Sequence, residues 1–178
     1  MNRPESNQVS ALLQETLREG GQVMLTVTSN SMSPLIRRGD KVMLMALTRP
    51  LQPGDIITFQ TDAGLLTHRF WGYVTDVTPL LLLTRGDKPV VFDPPTPAAH
   101  VLGLVVQWQR HGRWLHLYHG RGYGLNRHLV WLAAWDNRVL TGRTGPNLAV
   151  DSPPAWWRQG IHWALHWWGR LVTAVFVG

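Results

Sequence analysis

The sequence contains no cysteine among its 178 residues. Disulfide bonds and catalysis by a thiolate are therefore excluded. The sequence also lacks any uninterrupted run of about 20 apolar residues, the length that a membrane-spanning helix requires. We therefore do not expect a conventional membrane span. The N-terminus is polar and its apolar residues are spaced apart, so it does not predict a secretory signal peptide.

Acidic residues are few, since 11 Asp and Glu against 17 Lys and Arg give a formal net charge of +6. Such a charge favours anionic partners, either nucleic acid or an acidic membrane surface. The basic residues are scattered and do not alternate with aromatic residues as in single-strand binding proteins, so we expect no nucleic-acid partner. Tryptophan, by contrast, is abundant: ten residues, five of them between Trp156 and Trp168. Tryptophan beside Arg and His is typical of membrane interfaces.

The first two segments of the chain predict a helix followed by a β-rich domain. Residues 1–22 contain a short amphipathic helix over 6–19, which ends at Gly20 and Gly21. Residues 23–119 contain short apolar runs separated by Gly, Pro and Asp turns, a pattern that predicts a compact, mainly β fold. We expect strands at 23–27, 42–47, 56–59, 65–74, 80–83, 90–92 and 101–106, with a last hairpin over 107–118.

Residues 120–178 predict a helical, Trp-rich appendage. In it we expect a flexible break at Gly120–Gly124, a helix over 126–140, a linker over 141–154 and an amphipathic helix over 155–178. A polar stripe follows the period of the last helix and lies opposite its apolar face; it comprises Arg158, His162, His166, Arg170 and Thr173. The helix either lies at a membrane surface or packs against the protein's own core. The two histidines have metal-ligand spacing, but no third ligand lies nearby in sequence, so we predict no metal site.

A small polar segment, residues 29–34, separates two predicted strands and contains Ser31. Such a segment either connects the strands as an ordinary turn or presents a hydroxyl on a rigid support. A serine hydroxyl is a weak nucleophile, so it needs a general base, which in turn needs an orienting group. Downstream candidates are His68, Asp87 and Asp93, although each alone is also typical of a half-buried or turn-capping residue.

The order and spacing of these motifs resemble those of the type I signal peptidases. The matched residues are Ser29-x-Ser31-Met32-x-Pro34, Gly39-Asp40, Gly54-Asp55-Ile56, His68-Arg69, Gly86-Asp87 and Asp93. The resemblance covers about residues 23–106. His68 stands where the common bacterial enzymes have lysine, as in the endoplasmic-reticulum, archaeal and sporulation-associated branch. The resemblance implies a coiled β fold, shared with self-cleaving repressors, and a serine endopeptidase that cuts signal peptides after small residues.

The same resemblance implies a role for each matched polar residue. Ser31 is the nucleophile and His68 the general base. Asp93 matches the orienting carboxylate and Asp87 the acidic residue of the Gly-Asp motif, and we rank Asp93 above Asp87 as the triad member. The Ser29 hydroxyl matches the side-chain donor of the oxyanion hole. We expect no metal or nucleotide cofactor, because the sequence has no ligand cluster and no phosphate-binding loop.

The partners implied by the resemblance are signal or leader peptides of precursor proteins. Signal peptidases usually carry a membrane anchor before the serine motif, where this chain has a polar, amphipathic segment. We therefore expect association with the cell membrane through residues 155–178. Two alternatives remain open. The protein could be a soluble, cytoplasmic peptidase that matures leader peptides, or a non-catalytic module that binds a membrane or a peptide.

Overall fold

The computed structural model describes residues 3–74, 77–141 and 156–177. It is mainly an antiparallel β-sheet with one N-terminal and two C-terminal helices, which confirms the fold class predicted from the sequence. In chain order the elements are α1 (Arg3–Arg18), β1 (Val23–Thr26), β2 (Lys41–Met45), β3 (Ile56–Thr61), β4 (Gly64–Val74), β5 (Leu81–Arg85), β6 (Thr96–Pro97), a short 3-10 turn (Ala98–His100), β7 (Val101–Arg110), β8 (Arg113–His116), α2 (Gly120–Thr141) and α3 (Trp156–Val177).

The sheet has the strand order β1-β2-β7-β3-β4-β5-β6, and β8 pairs with the far end of β7. Its inner face carries alternating buried residues such as Val42 and Leu44 on β2. The largest core cluster joins these strands to α1, α2 and α3. It also includes Met32, Leu35 and Ile36, which are almost fully buried. The segment that follows Ser31 is therefore anchored in the core by its own apolar side chains.

Two predicted elements differ from the structure. Residues 90–92 form no strand, because Phe92 serves instead as a loop residue packed against Trp71 and Leu83. The sheet is extended by β6, which pairs with β5.

Gly120–Gly124 is not a flexible break but the first turn of α2. The helix passes so close to β8 that a Cβ on Gly122 would lie 2.5 Å from the His116 carbonyl oxygen. The predicted linker lies, apart from Thr141, outside the described residues.

Helices α2 and α3 run antiparallel, since Asp136 late in α2 contacts His162 early in α3 and His128 contacts Trp168. The polar stripe of α3 faces inward. The buried residues of the helix are His162, His166, Gly169, Thr173 and Val177, whereas Arg170 of the stripe is exposed. The helix packs against the protein's own core through Val177, with Leu165 and Val172 partly buried beside it. Most of its large apolar side chains nevertheless point outward. Buried polar partners on α2 and on the loop after β5 engage His162, so this polar side chain can face inward.

Tryptophan dominates the outward face of α3. The exposed large apolar side chains of this helix are Trp156, Trp157, Ile161, Trp163, Trp167, Trp168, Leu171, Val175 and Phe176. We refer to these residues, together with Trp131 and Trp135 on α2, as the aromatic face. Among the described helices, none combines the length and the hydropathy needed to cross a bilayer.

Candidate active site

Ser31 lies in the turn that follows β1, and two other segments hold this turn in place. The backbone N–H of Lys88 donates a hydrogen bond to the Ser31 carbonyl oxygen at 2.9 Å. Further along, Arg110 on β7 pairs with Asp40 and also donates to the Leu35 carbonyl oxygen. Asp40 of the Gly39-Asp40 motif thus attaches the end of the segment that follows Ser31 to the sheet through an ion pair. The nucleophile candidate therefore sits on a loop tied down on both sides.

His68 and Asp93 form a direct pair. The Nδ1 atom of His68 lies 2.6 Å from the Oδ2 atom of Asp93. Thr84 donates a second hydrogen bond to the same oxygen at 2.7 Å. An ionised carboxylate only accepts hydrogen bonds, so in the neutral imidazole Nδ1 of His68 carries the proton and Nε2 presents its lone pair. This is the tautomer that a general base requires.

The Nε2 atom of His68 and the Ser31 turn meet at Gly86. A Cβ placed on Gly86 would lie 3.0 Å from His68 Nε2 and 2.6 Å from the Ser31 carbonyl oxygen. The Nε2 atom is buried and has no hydrogen-bond partner among the described residues. The Ser31 hydroxyl is hydrogen-bonded to the Ser29 hydroxyl at 3.0 Å. The base is therefore unengaged beside the serine turn, an arrangement common before substrate tightens the catalytic hydrogen bonds.

We expect Gly86→Ala to lower the rate of any reaction at this site by about 10²-fold, because a displacement of about 1 Å between reacting groups has an effect of this size. The added methyl group would have to push the Ser31 backbone or the His68 ring aside. Gly124→Ala on α2 is the control, since Gly124 has no positive φ and a Cβ there would have no atom within 4 Å. Turnover is the measurement. A Gly86→Ala protein with wild-type turnover would show that the close packing at Gly86 does not set the distance between Ser31 and His68.

Asp87 lies next to Gly86 in sequence but points to a different partner. Its two carboxylate oxygens each accept a hydrogen bond at 2.8 Å from Arg69, whose side chain is fully buried. Arg69 also donates to the Gly54 carbonyl oxygen and to Asn126. The structure therefore places Asp93, not Asp87, on His68. Asp87 and Arg69 instead join the Gly-Asp turn to the turn before β3 and to α2.

Sequence reasoning missed Thr84 and a buried network behind the site. Threonine is so common in strands that nothing marks Thr84 as the second partner of Asp93. The network comprises Arg85, Asp136 and His162. Its only sequence signal is an aspartate inside an otherwise apolar stretch of α2, since a buried carboxylate needs partners.

An open groove with a volume of about 450 Å³ begins at Asp93. It is lined by Phe59, Gln60, Thr61, Asp62, Ala63, Leu66, Asp93, Pro94, Pro95, Thr96, Pro97 and His100. Its walls are mostly apolar or small, and Asp93 links it to the His68 pair. Through Asp93, this groove borders the candidate base and has room to receive part of a ligand.

His162 and His166 do not form a metal site in this structure. Both ring nitrogens of His162 are engaged, one with Asp136 and one with the Lys88 carbonyl oxygen. Burial and then the His162 charge lower the pKa of His166. Within residues 3–74, 77–141 and 156–177, no group of three or more His, Cys, Asp or Glu side chains is arranged to hold a metal ion.

A scan of the sequence against models of known protein families gives no match, and a comparison with curated proteins gives none either.

Proposed function

We propose that the protein is a serine endopeptidase of the signal peptidase I type, with Ser31 as nucleophile, His68 as general base and Asp93 as the orienting carboxylate. One observation carries the proposal. His68 is held by Asp93 through Nδ1, while its Nε2 atom is unengaged beside the turn that carries Ser31. The buried His166 also has a ring nitrogen, Nδ1, without a partner among the described residues. What distinguishes His68 is that a carboxylate orients its ring and that its unengaged nitrogen lies beside a serine.

The proposed reaction follows from this arrangement. Nε2 of His68 takes the Ser31 hydroxyl proton as the Ser31 oxygen attacks the scissile carbonyl carbon, and Asp93 stabilises the imidazolium that forms. The imidazolium then gives its proton to the leaving amine, and water hydrolyses the acyl-enzyme by the same route. Proton transfer of this kind contributes about 10²- to 10⁴-fold to the rate. The Ser29 hydroxyl and the Ser31 N–H are the proposed oxyanion donors.

The shape of the sheet beside His68 suits an extended peptide. Residues 64–68 of β4 pair with β3, whereas pairing of β4 with β5 begins only at Arg69. In the described part of the chain no strand covers that edge of residues 64–68. An extended peptide can add to such an edge and place alternate side chains in pockets. The groove next to Asp93 is suited to one of these side chains, and we propose signal or leader peptides of precursor proteins as substrates.

The decisive experiment is cleavage of a secretory precursor with an Ala-x-Ala site, in vesicles of phosphatidylcholine and phosphatidylglycerol. We expect the wild type to cut after the second alanine. The control is the same precursor with leucine in place of that alanine, which should resist cleavage because the family cuts after small residues. A wild type that binds the precursor but never cuts it would contradict the peptidase proposal and favour a peptide-binding module.

We further propose that the aromatic face lies on the cell membrane. Helix α3 contains no Asp or Glu, and Arg170 lies over Trp167 at 4.5 Å. On α2, the rings of Trp131 and Trp135 are 6.2 Å apart, which extends the face beyond α3. Tryptophan and arginine together are typical of helices that bind an anionic lipid interface. A large exposed apolar patch marks an interaction surface for a protein or a membrane, and the tryptophan and arginine content of this one favours a membrane.

We expect the wild type to float with anionic vesicles and the triple variant Trp167→Ala, Leu171→Ala, Val175→Ala to bind them at least about tenfold more weakly. These three side chains are exposed, so the substitutions remove apolar area that the fold itself does not bury. Leu12→Ala on α1 is the matched control, because Leu12 is 64% exposed but lies outside the aromatic face. Flotation quantifies binding, and a wild type that stays in the aqueous fraction would contradict membrane association.

A further inference from the structure

A buried charged cluster lies between α2, α3 and β5, outside the residues that the proposed reaction uses. Arg85 on β5 donates to Asp136 on α2 at 2.6 Å, and Nδ1 of His162 on α3 lies 2.8 Å from the same carboxylate oxygen. All three side chains are at most 5% exposed. Burying three ionisable groups is costly, so their position needs an explanation beyond packing.

His162 uses its second nitrogen on the active-site loop. Its Nε2 atom lies 2.9 Å from the carbonyl oxygen of Lys88, and a carbonyl oxygen only accepts hydrogen bonds. Nε2 of His162 therefore carries a proton. Burial by itself would raise the pKa of Asp136, but the hydrogen bond from His162 and the charge of Arg85 outweigh it and lower that pKa. Asp136 thus fixes the ring in the orientation that presents Nε2–H to Lys88.

Lys88 connects this cluster to the nucleophile turn. Its carbonyl oxygen accepts from His162, and its N–H donates to the Ser31 carbonyl oxygen at 2.9 Å. Helix α3 also lies directly against the turn that carries Ser31, since a Cβ on Gly169 would lie 3.2 Å from the Pro34 ring. One helix therefore contacts both loops that meet at Gly86, where Ser31 and His68 come together.

We infer that His162 is a positioning residue of the active site: by holding the Lys88 carbonyl, it fixes the loop that sets the spacing between Ser31 and His68. The inference rests on the proposed peptidase function. Helix α3 then has two roles, with its outward side on the membrane and its inward side behind the catalytic centre. His162 touches neither substrate nor the reacting atoms, so it acts only through Lys88.

The test compares His162→Gln with His162→Asn. The amide nitrogen of glutamine occupies the position of Nε2 and can still donate to Lys88, whereas that of asparagine occupies the position of Nδ1 and reaches only Asp136. We expect kcat to fall about 10²-fold in His162→Asn with little change in KM, as displaced catalytic groups produce. His162→Gln should stay within about fivefold of wild type. His166→Gln, one turn further along the same buried side, should match wild type.

Both His162 variants lose the imidazole ring, so an equal effect of the two on kcat would overturn the inference. A second readout does not depend on catalysis. Hydrogen exchange of the Lys88 amide should be at least about tenfold faster in His162→Asn than in His162→Gln. The reason is that the loop opens locally when the Lys88 carbonyl oxygen loses its hydrogen bond to residue 162. If the wild type cuts no precursor, the peptidase proposal fails. The exchange rates then still test whether His162 holds the Lys88 loop. Equal exchange in the two variants would overturn it.

Discussion

Replacing Ser31 with alanine is expected to lower kcat by about 10⁴- to 10⁶-fold, the range seen when a serine peptidase loses its nucleophile. The residual rate would come from substrate binding and the oxyanion donors. The fold should be retained, because the Ser31 side chain is half-buried and its hydroxyl bonds only to the Ser29 hydroxyl. The backbone bond from Lys88 to the Ser31 carbonyl oxygen does not involve the side chain. Precursor cleavage in vesicles measures the effect.

Ser33→Ala is the matched control for this substitution. Ser33 lies two residues further along the same turn and is half-buried like Ser31. Its loss removes the same atom type from the same loop without touching the proposed nucleophile, so we expect turnover close to wild type. Thermal unfolding and circular dichroism of both variants establish that they fold. Equal turnover in Ser31→Ala and wild type would exclude the mechanism, whatever the substrate.

The second large effect is expected for Asp93→Asn, which should lower kcat by about 10⁴-fold while the protein stays folded. The asparagine amide can donate to Nδ1 of His68, which would move the ring proton to Nε2. The base would then lack the lone pair that takes the Ser31 proton. The Asp93 side chain is 17% exposed, and asparagine keeps its size and an oxygen that can accept from Thr84, so the substitution opens no cavity. The measurements are turnover and the unfolding midpoint.

Asp87→Asn separates the two aspartates that the motif resemblance proposed. Asp87 neutralises Arg69, whose side chain is 0% exposed. Removing the partner of a buried charge costs about 3–5 kcal/mol of folding stability. We therefore expect Asp87→Asn to lower the unfolding midpoint strongly, and Asp93→Asn to lower kcat. The reverse assignment of these two effects would show that Asp87 is the orienting carboxylate.

The sheet could be predicted because its signals are local. Apolar runs bounded by Gly-Asp turns mark β2, β3 and β5 in sequence, and β4 ends close to its predicted limit at Val74. The strand predicted at residues 90–92 is wrong, because Phe92 is buried from a loop and its apolar character does not reflect strand pairing. Propensity measures whether a residue fits a buried surface, and a buried loop can meet that condition.

The candidate site was predictable only in part. The resemblance placed Asp93 above Asp87, and the structure puts Asp93 on His68. The cluster of Arg85, Asp136 and His162 could not be foreseen, since its members lie up to 77 positions apart and no local pattern links them. The inward direction of the polar stripe on α3 has the same cause. A helix buries its polar side only when distant segments supply partners, and periodicity shows the stripe but not what faces it.

The outward tryptophans of α3 also determine how the protein behaves in aqueous solution. Contiguous apolar surface attracts other copies in water, while the net charge of +6 keeps them apart. Added salt screens that repulsion within about 10 Å at 0.1 M ionic strength and leaves the apolar attraction intact. Colloidal stability during purification should therefore fall as ionic strength rises, and detergent that coats the tryptophans should restore it.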